Sequence, residues 1–376
     1  GRYVVFSSPA TNIVAGDTHA VGDVFLRDTV LDTTEIISTD STGTIGNGAS
    51  YQPTVSSNGR YVAFLSAATN LVAGDANGVT DVFLRDRSLG TTTRISEDTS
   101  GGDPDGASQY PWISGDGRFL SYTSSATDLV ASDTNGVDDI FLFDRSGGTT
   151  PRVSVSSAGV QADLGSFRSS ITNNGRYIAF ASSATNLVTG DTRGKIDIFV
   201  RDRALSTTTR ITATGTDGLE PDNNSIWPYI SATGAFVLYR STATNLVAGD
   251  TNGRYDVFLT NRSTLATERV NVATDGSQGS QGAVWASLSS SGQFVAFASN
   301  STEYDAADTN GVRDVFVRDR TAGTTTRLPS GIEPNAVSQR PVISDDGRVI
   351  VFRTEATNLT AGDTNGVYDL YRVPTP

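Results

Sequence analysis

The chain reads as an all-β repeat protein in which each of seven repeats forms one sector of a single closed body. Three observations predict this. The stretch Asp75-Ala-Asn-Gly-Val-Thr-Asp-Val-Phe83 returns at 133–141, 250–258, 308–316 and 363–371, with looser copies starting at Asp17 and Asp191. The leading aspartates lie 58, 58, 58, 59, 58 and 55 residues apart, a fixed period of the size that repeat architectures show. Short runs of aromatic and β-branched residues alternate with Gly, Asn and Asp turns, and no helical apolar period is found.

Within the repeat from Tyr51 to Ser96, four strands are expected. Pro53-Thr-Val-Ser56 is the first, and Asn58-Gly59 turns it into Arg60-Tyr-Val-Ala-Phe-Leu65; glycine supplies the positive φ of a tight hairpin. Residues 67–80 then form a loop carrying the Asp-x-Asn-Gly stretch, long for a plain connection. Asp81-Val-Phe-Leu-Arg85 is the third strand and Thr91-Thr-Thr-Arg-Ile-Ser96 the fourth. The later hairpin turns are Asp116-Gly117, Asn174-Gly175, Thr233-Gly234, Ser291-Gly292 and Asp346-Gly347. Repeat one lacks a first strand and repeat seven stops after its third, so 26 strands are expected where seven full repeats would give 28. Either the missing strands lie outside this sequence, or the incomplete terminal repeats offer edges for another chain, from which a homo-oligomer or filament built by strand pairing is expected.

Composition removes several function classes. The formal charge is −13 over 376 residues, and Lys195 is the sole lysine; such a surface repels a phosphate backbone, so nucleic acid is excluded as a partner. No long apolar run is present, so no membrane span is expected. The chain has neither Cys nor Met, which rules out a disulfide framework and suits oxidising surroundings. It starts inside a repeat without a methionine, from which an upstream segment containing a secretory signal is inferred. The expected location is extracellular or at the cell surface, with the periplasm as the alternative.

Pro341-Val-Ile-Ser-Asp-Asp-Gly-Arg-Val-Ile-Val-Phe352 and its counterparts in the other repeats resemble the blade motif of TolB-type, WD-repeat-like β-propellers. The resemblance covers the whole chain. It implies one domain over residues 1–376, a seven-bladed propeller of four-stranded antiparallel blades, with first strands lining a central channel and the first and last blades incomplete. It implies little about activity, because such propellers serve as scaffolds, binding modules and enzyme supports. In that arrangement the loops between second and third strands share a face with the interblade segments, such as 97–105 and 218–224, and make that face acidic.

Asp75, Asn77 and Asp81 offer side-chain oxygens around the turn at Gly78. An all-oxygen set of this kind suits Ca2+, which takes roughly six to eight oxygen ligands. The same set recurs as Asp133, Asn135 and Asp139; Asp250, Asn252 and Asp256; Asp308, Asn310 and Asp314; and Asp363, Asn365 and Asp369. These loops resemble the calcium loops of integrin-type propellers and, more loosely, an EF-hand, although Ala73 stands where a further acid is expected. The competing reading is a plain Asn-Gly turn with Asp75 capping nearby amides; five full copies favour the metal. Repeat one (His19-Ala20) and repeat four (Arg193, Lys195) are expected not to hold calcium, with Arg193 supplying the missing charge. Asn12, Asn70, Asp128, Asn186, Asn245, Glu303 and Asn358, five residues before each leading aspartate, are expected to tie down backbone rather than ligate.

No catalytic constellation stands out. His19 is the only histidine, which supports neither a zinc site nor a Ser-His-Asp site and is expected to be an exposed loop residue. Among 41 acidic residues some carboxylate pair always looks suited to glycoside hydrolysis, so that signal is weak; no sialidase-type Asp box is present. Trp112, Trp227 and Trp285 fall on or beside first strands, with interblade packing the leading role and stacking on a sugar the second. Arg60, Arg118, Arg176 and Arg348 follow hairpin turns and are expected to pair with acids or cover aromatic edges. The functional expectation is a non-enzymatic, calcium-stabilised structural or interaction protein that self-assembles at a surface. The alternative is a carbohydrate-active enzyme or glycan-binding module working from the acidic face.

Overall fold

The computed structural model describes residues 1–212 and 220–376. The fold is an all-β, seven-bladed propeller of three- and four-stranded antiparallel sheets. Blade 1 comprises Tyr3–Ser8, Asp23–Asp28 and Thr33–Ile36; blade 2, Ser50–Val55, Tyr61–Ser66, Asp81–Asp86 and Thr91–Arg94. Blade 3 comprises Ser108–Ile113, Phe119–Ser124 and Asp139–Asp144; blade 4, Ser166–Ile171, Tyr177–Ser182, Asp197–Asp202 and Thr207–Arg210. Blade 5 comprises Ser225–Ile230, Phe236–Ser241, Asp256–Asn261 and Thr267–Arg269; blade 6, Ala283–Leu288, Phe294–Ser299, Asp314–Asp319 and Thr324–Leu328. Blade 7 comprises Ser338–Ile343, Val349–Thr354 and Asp369–Pro374. Packing groups the chain into two compact units, Arg2–Thr192 with Val200–Thr209, and Arg193–Phe199 with Arg210–Pro376 and Gly1. They are called the N- and C-terminal units below.

Second and third strands have apolar neighbours on both faces, so they read as continuous apolar runs instead of alternating. Every residue of Tyr61–Ser66 is buried, as are Asp81, Val82, Phe83 and Leu84. In the register Phe64 faces Phe83, and their rings stack with centroids 5.8 Å apart. The same cross-strand pair returns as Phe6–Phe25, Tyr239–Phe258 and Phe297–Phe316. The hairpin glycines are required twice over. Gly175 has φ +68°, and a Cβ there would lie 1.9 Å from the Phe119 ring of the preceding blade. The arginines after these turns do what was expected of them: Arg60 bonds Asp86 through Nε (2.9 Å) and Nη2 (2.8 Å), and Arg118–Asp144 and Arg176–Asp202 repeat the fork. Arg348 has no such aspartate, because the corresponding place is Pro374.

Two expectations are revised. Blade 3 has no fourth strand; only the bridges Phe141↔Arg152 and Asp144↔Thr149 form, so the described residues hold 25 strands, not 26. Pro151 occupies the ladder place of Thr93 in blade 2 and has no N–H to donate. The first strand of blade 2 also begins earlier than expected, at Ser50, and contains a bulge between Tyr51 and Thr54. Its extra residue, Gln52, takes a left-handed φ of 51°. The equivalent Tyr110, Arg168, Trp227, Trp285 and Arg340 have φ between 45° and 60°, and Pro follows four of these six residues, where a missing donor favours slipping the ladder. Of the acidic stretch expected over 218–224, Gly218 and Leu219 lie outside the described residues.

Candidate functional site

The most regular chemical feature is an acid–arginine cluster at the start of the third strand in blades 2 to 6. In blade 2, Asp81 is fully buried. Its Oδ1 accepts the Ser96 hydroxyl at 2.6 Å, and the same Ser96 oxygen accepts the Val82 N–H at 3.0 Å. Oδ2 is thereby turned towards the long loop. There Arg94 Nη1 stands 3.9 Å from Asp81 Oδ2 and 3.7 Å from Asp75 Oδ1, and it also donates to Asp103 from the interblade segment. Asp103 in turn accepts the Ala76 N–H at 3.0 Å. The structure therefore brings Asp75 and Asp81 together, but around a guanidinium. Asn77 joins them as a donor and offers no free oxygen: its Oδ1 accepts the Val79 N–H (3.1 Å), and its Nδ2 donates to the Pro104 carbonyl (3.1 Å) and bonds the Asp81 carboxylate.

The pattern holds across blades. Arg152 lies 3.1 Å from Asp133 and 3.3 Å from Asp139; Arg269 lies 3.5 Å from Asp250 and 3.9 Å from Asp256. In blade 6, Arg327 faces four carboxylates, those of Asp305 (3.0 Å), Asp314 (3.3 Å), Glu333 (3.6 Å) and Asp308 (3.8 Å). Asn135, Asn252 and Asn310 donate to the carbonyls of Ala162, Gly279 and Pro334. In blade 4, Arg193 donates to the Glu220 carbonyl (2.8 Å), while the guanidinium that meets Asp197 (3.6 Å) and the Glu220 carboxylate (2.8 Å) is that of Arg210. In blade 7, Asp363 is half-buried, Asp369 is exposed, and Asn365 Oδ1 accepts the Val367 N–H. In blade 1 the arginine's place is taken by Ile36. His19 fills in, with Nδ1 3.5 Å from Asp23 and 4.0 Å from Asp17. It is half-buried between two buried aspartates, not an exposed loop residue, because the loop folds onto the strand that starts at Asp23.

Desolvation dominates the electrostatics. Burial pushes the Asp81 carboxyl up to about 6 despite its hydrogen bond from Ser96 and the nearby Arg94 charge. Asp139 and Asp256 are raised for the same first cause. Asp314 goes furthest, to about 7, through burial and then the charge of Asp308, with Arg327 opposing. Blade 6 offers no hydroxyl here because Pro329 takes the place of Ser96. The sequence did contain a signal for the arginines: Arg94, Arg152, Arg210, Arg269 and Arg327 each follow a leading aspartate by the same interval, nineteen residues. The residues ahead of the loop in blades 2 to 7 tie down backbone as expected. Asn70 accepts the Asn47 N–H (2.8 Å) and donates to the Ile45 carbonyl (3.0 Å), and Asn186, Asn245 and Asn358 repeat the clamp.

No family model matches the chain, and no curated protein matches it. Solved structures do. The oligogalacturonate lyase of Vibrio parahaemolyticus is 13% identical with a TM-score of 0.60, over 100% of this chain and 87% of that one. An oligogalacturonate lyase in complex with manganese is 11% identical with a TM-score of 0.58, over 100% and 86%. TolB from Acinetobacter baumannii is 18% identical, over 90% of this chain and 65% of its own length, with a TM-score of 0.49. The likeness is one of fold.

A second feature lies in the C-terminal unit, where the bulged first strands present Trp227, Trp285 and Arg340; the N-terminal unit has a counterpart in Arg168, 3.9 Å from the Tyr110 ring. The guanidinium carbon of Arg313 is 5.0 Å from the Trp285 ring centroid and that of Arg340 5.5 Å; Arg240 lies 5.0 Å from Trp227 and 5.0 Å from Tyr255. Arg353 lies 4.1 Å from the Tyr368 ring. Trp285 also packs against the cluster containing Ile343 and Phe352, so the expected packing role and an arginine-stacking role fall on one side chain. Arg340 has its pKa lowered by loss of hydration and then by the like charge of Arg353. Among the described residues, neither has a carboxylate within ion-pair distance.

Proposed function

We propose that this chain is a non-catalytic binding propeller that acts outside the cytoplasm and takes an anionic glycan on the first-strand surface of blades 5 to 7. The observation that carries this reading is the Arg340–Arg353 pair. In a chain of net charge −13 many arginines are paired with acids, whereas among the described residues neither of these two is, and Arg340 feels the like charge of Arg353 while each lies over an aromatic ring. Like charges held together are costly, and a carboxylate or sulfate group received in bidentate fashion would relieve that cost. The direct test is binding of polyuronates and sulfated glycans, with their neutral counterparts, to wild type and to Arg340→Ala and Arg353→Ala. Retention of acidic glycans that weakens with salt and in both variants is expected. Failure to bind any acidic glycan, or equal binding by the variants, would overturn the proposal, and bond cleavage during the assay would favour an enzyme.

Calcium has a smaller place in this reading than the sequence suggested. In blades 2, 3, 5 and 6 the donor set does not fit the ion, because a guanidinium stands at both aspartates and the asparagine oxygen is held within its own turn. Asp363 and Asp369 of blade 7, with Asp363 Oδ1 lacking a hydrogen-bond partner, remain the copy for which calcium is proposed. Equilibrium dialysis with labelled calcium, on wild type and on Asp363→Asn, tests that assignment; uptake unchanged by the substitution would remove it.

A further inference from the structure

We infer that Asp17, His19 and Asp23 of blade 1 form a site for a first-row divalent transition cation of the Zn2+ or Co2+ class. The inference stands apart from the glycan reading, since these residues belong to the N-terminal unit and the arginine–aromatic surface to the other.

The argument starts from what is missing. In blades 2 to 6 an arginine nineteen residues after the leading aspartate stands at the aspartate that opens the third strand, and blade 1 has Ile36 at that place. Two aspartates, 6% and 0% exposed, are thus left facing each other with only an imidazole between them. Two buried carboxylates with nothing but a neutral imidazole would be a heavy desolvation cost.

The distances then separate two roles for His19. As a hydrogen-bonding counter-ion, its Nδ1 would sit about 2.7–2.9 Å from an acceptor oxygen. It stands instead 3.5 Å from Asp23 Oδ2 and 4.0 Å from Asp17 Oδ1. No hydrogen-bond partner is found for Asp17 Oδ1, Asp23 Oδ2 or either imidazole nitrogen. One donor atom from each residue lies within 4.8 Å of the others. Ligand atoms around a tetrahedral zinc, with bonds of about 2.0–2.2 Å, stand roughly 3.4 Å apart. The 3.5 Å and 4.0 Å separations approach that spacing and are too wide for direct hydrogen bonds.

The surroundings have the character of a metal site. Asp23 Oδ1 accepts the Ser38 hydroxyl at 2.6 Å, and Ser38 Oγ accepts the Val24 N–H, so the carboxylate is fixed with Oδ2 towards the imidazole. Outer partners that orient a ligand in this way raise metal affinity. An imidazole nitrogen with two carboxylate oxygens is a donor set for zinc, cobalt or manganese and not for calcium, which prefers oxygen throughout.

The experiment uses the whole chain, freed of metal with a chelator and titrated with Zn2+ and with Co2+ by calorimetry and visible absorption. One equivalent is expected to bind tightly, Co2+ giving ligand-field bands that report a nitrogen donor, and the melting temperature should rise with Zn2+. Asp17→Asn and His19→Ala should lose this equivalent. His19→Arg should also lose it while keeping the fold, because it restores the counter-ion of the other blades; circular dichroism and the melt of that variant separate loss of ligand from loss of structure. Absence of a tight equivalent in wild type, retention of it in His19→Arg, or a site that takes Ca2+ equally well would each overturn the assignment.

Discussion

Asp314→Asn should make the protein more stable at neutral pH. Asp314 is fully buried at the start of its strand. It lacks the hydroxyl that the equivalent Asp81 receives from Ser96, and it shares one arginine with three other carboxylates. These conditions lift its pKa from the ordinary 3.8 to about 7 in the folded state. The sign follows from proton linkage. Below pH 3.8 the group is neutral in both states and the raised pKa has no effect. As pH climbs towards 7 the unfolded chain ionises first, so folding becomes progressively less favourable, and the loss levels off above the folded pKa. At about 1.4 kcal/mol per pH unit the full loss is roughly 4 kcal/mol. Asparagine removes it while Arg327 keeps Asp305 at 3.0 Å and Glu333 at 3.6 Å. Urea unfolding of wild type and Asp314→Asn, followed by tryptophan fluorescence at pH 4 and pH 8, reads the double difference. Near-equal stability at pH 4 and an advantage of about 3–4 kcal/mol for the variant at pH 8 are expected. A variant less stable than wild type at pH 8 would show that the Arg327 contact outweighs desolvation, and the reasoning would fail.

Three further outcomes follow from the same geometry. Arg94→Ala leaves Asp75, Asp81 and Asp103 without their cation and should cost about 3–5 kcal/mol; millimolar calcium should then raise its melting temperature more than that of wild type, and equal shifts would show that the two cations do not exchange. Gly175→Ala combines a left-handed backbone with a Cβ 1.9 Å from Phe119 and should destabilise by more than the roughly 1–3 kcal/mol of backbone strain alone, measured by chemical unfolding. Pro151→Thr gives blade 3 the donor that Thr93 has in blade 2, adding about 1 kcal/mol for one ladder bond; a protected amide at position 151 in hydrogen exchange is the readout, and a rapidly exchanging one would mean that the strand is absent for another reason.

The architecture was legible because period and strand composition repeat the same information seven times. The hairpin turns, the apolar second and third strands and the arginine–aspartate forks all follow from residue type at a fixed offset. What escaped the sequence reading was pairing at a distance. Asp75, Asn77 and Asp81 stand together in the chain and were read as one donor set, while the group that meets the aspartates comes from Arg94 on the next strand. Asp103 arrives later still, from the segment leading to blade 3. Local spacing cannot reveal that a fourth strand folds its arginine back over the loop, although the constant interval across five repeats carried the hint. The bulge at Gln52 was hidden similarly: Pro53 reads as a strand opener, whereas the ladder begins before it and slips around it.

The clusters are better understood as devices that fix the loop than as sources of stability. Taking Asp81 out of water raises its pKa even with Arg94 nearby, so Arg94 offsets only part of the desolvation, and apolar residues of similar volume often serve a core equally well or better. Apolar residues could not, however, accept the Ala76 N–H, as Asp103 does, or the Ser96 hydroxyl, as Asp81 does. Nor could they join the 67–80 loop to the segment of the next blade through one guanidinium. In a chain whose hydrophobic faces are nearly the same from blade to blade, apolar packing alone would distinguish poorly between neighbouring loops and segments. A charge that must find its partner or remain buried alone supplies that distinction, and blade 1 has kept the aspartates while exchanging the arginine for a histidine that can take a metal in its stead.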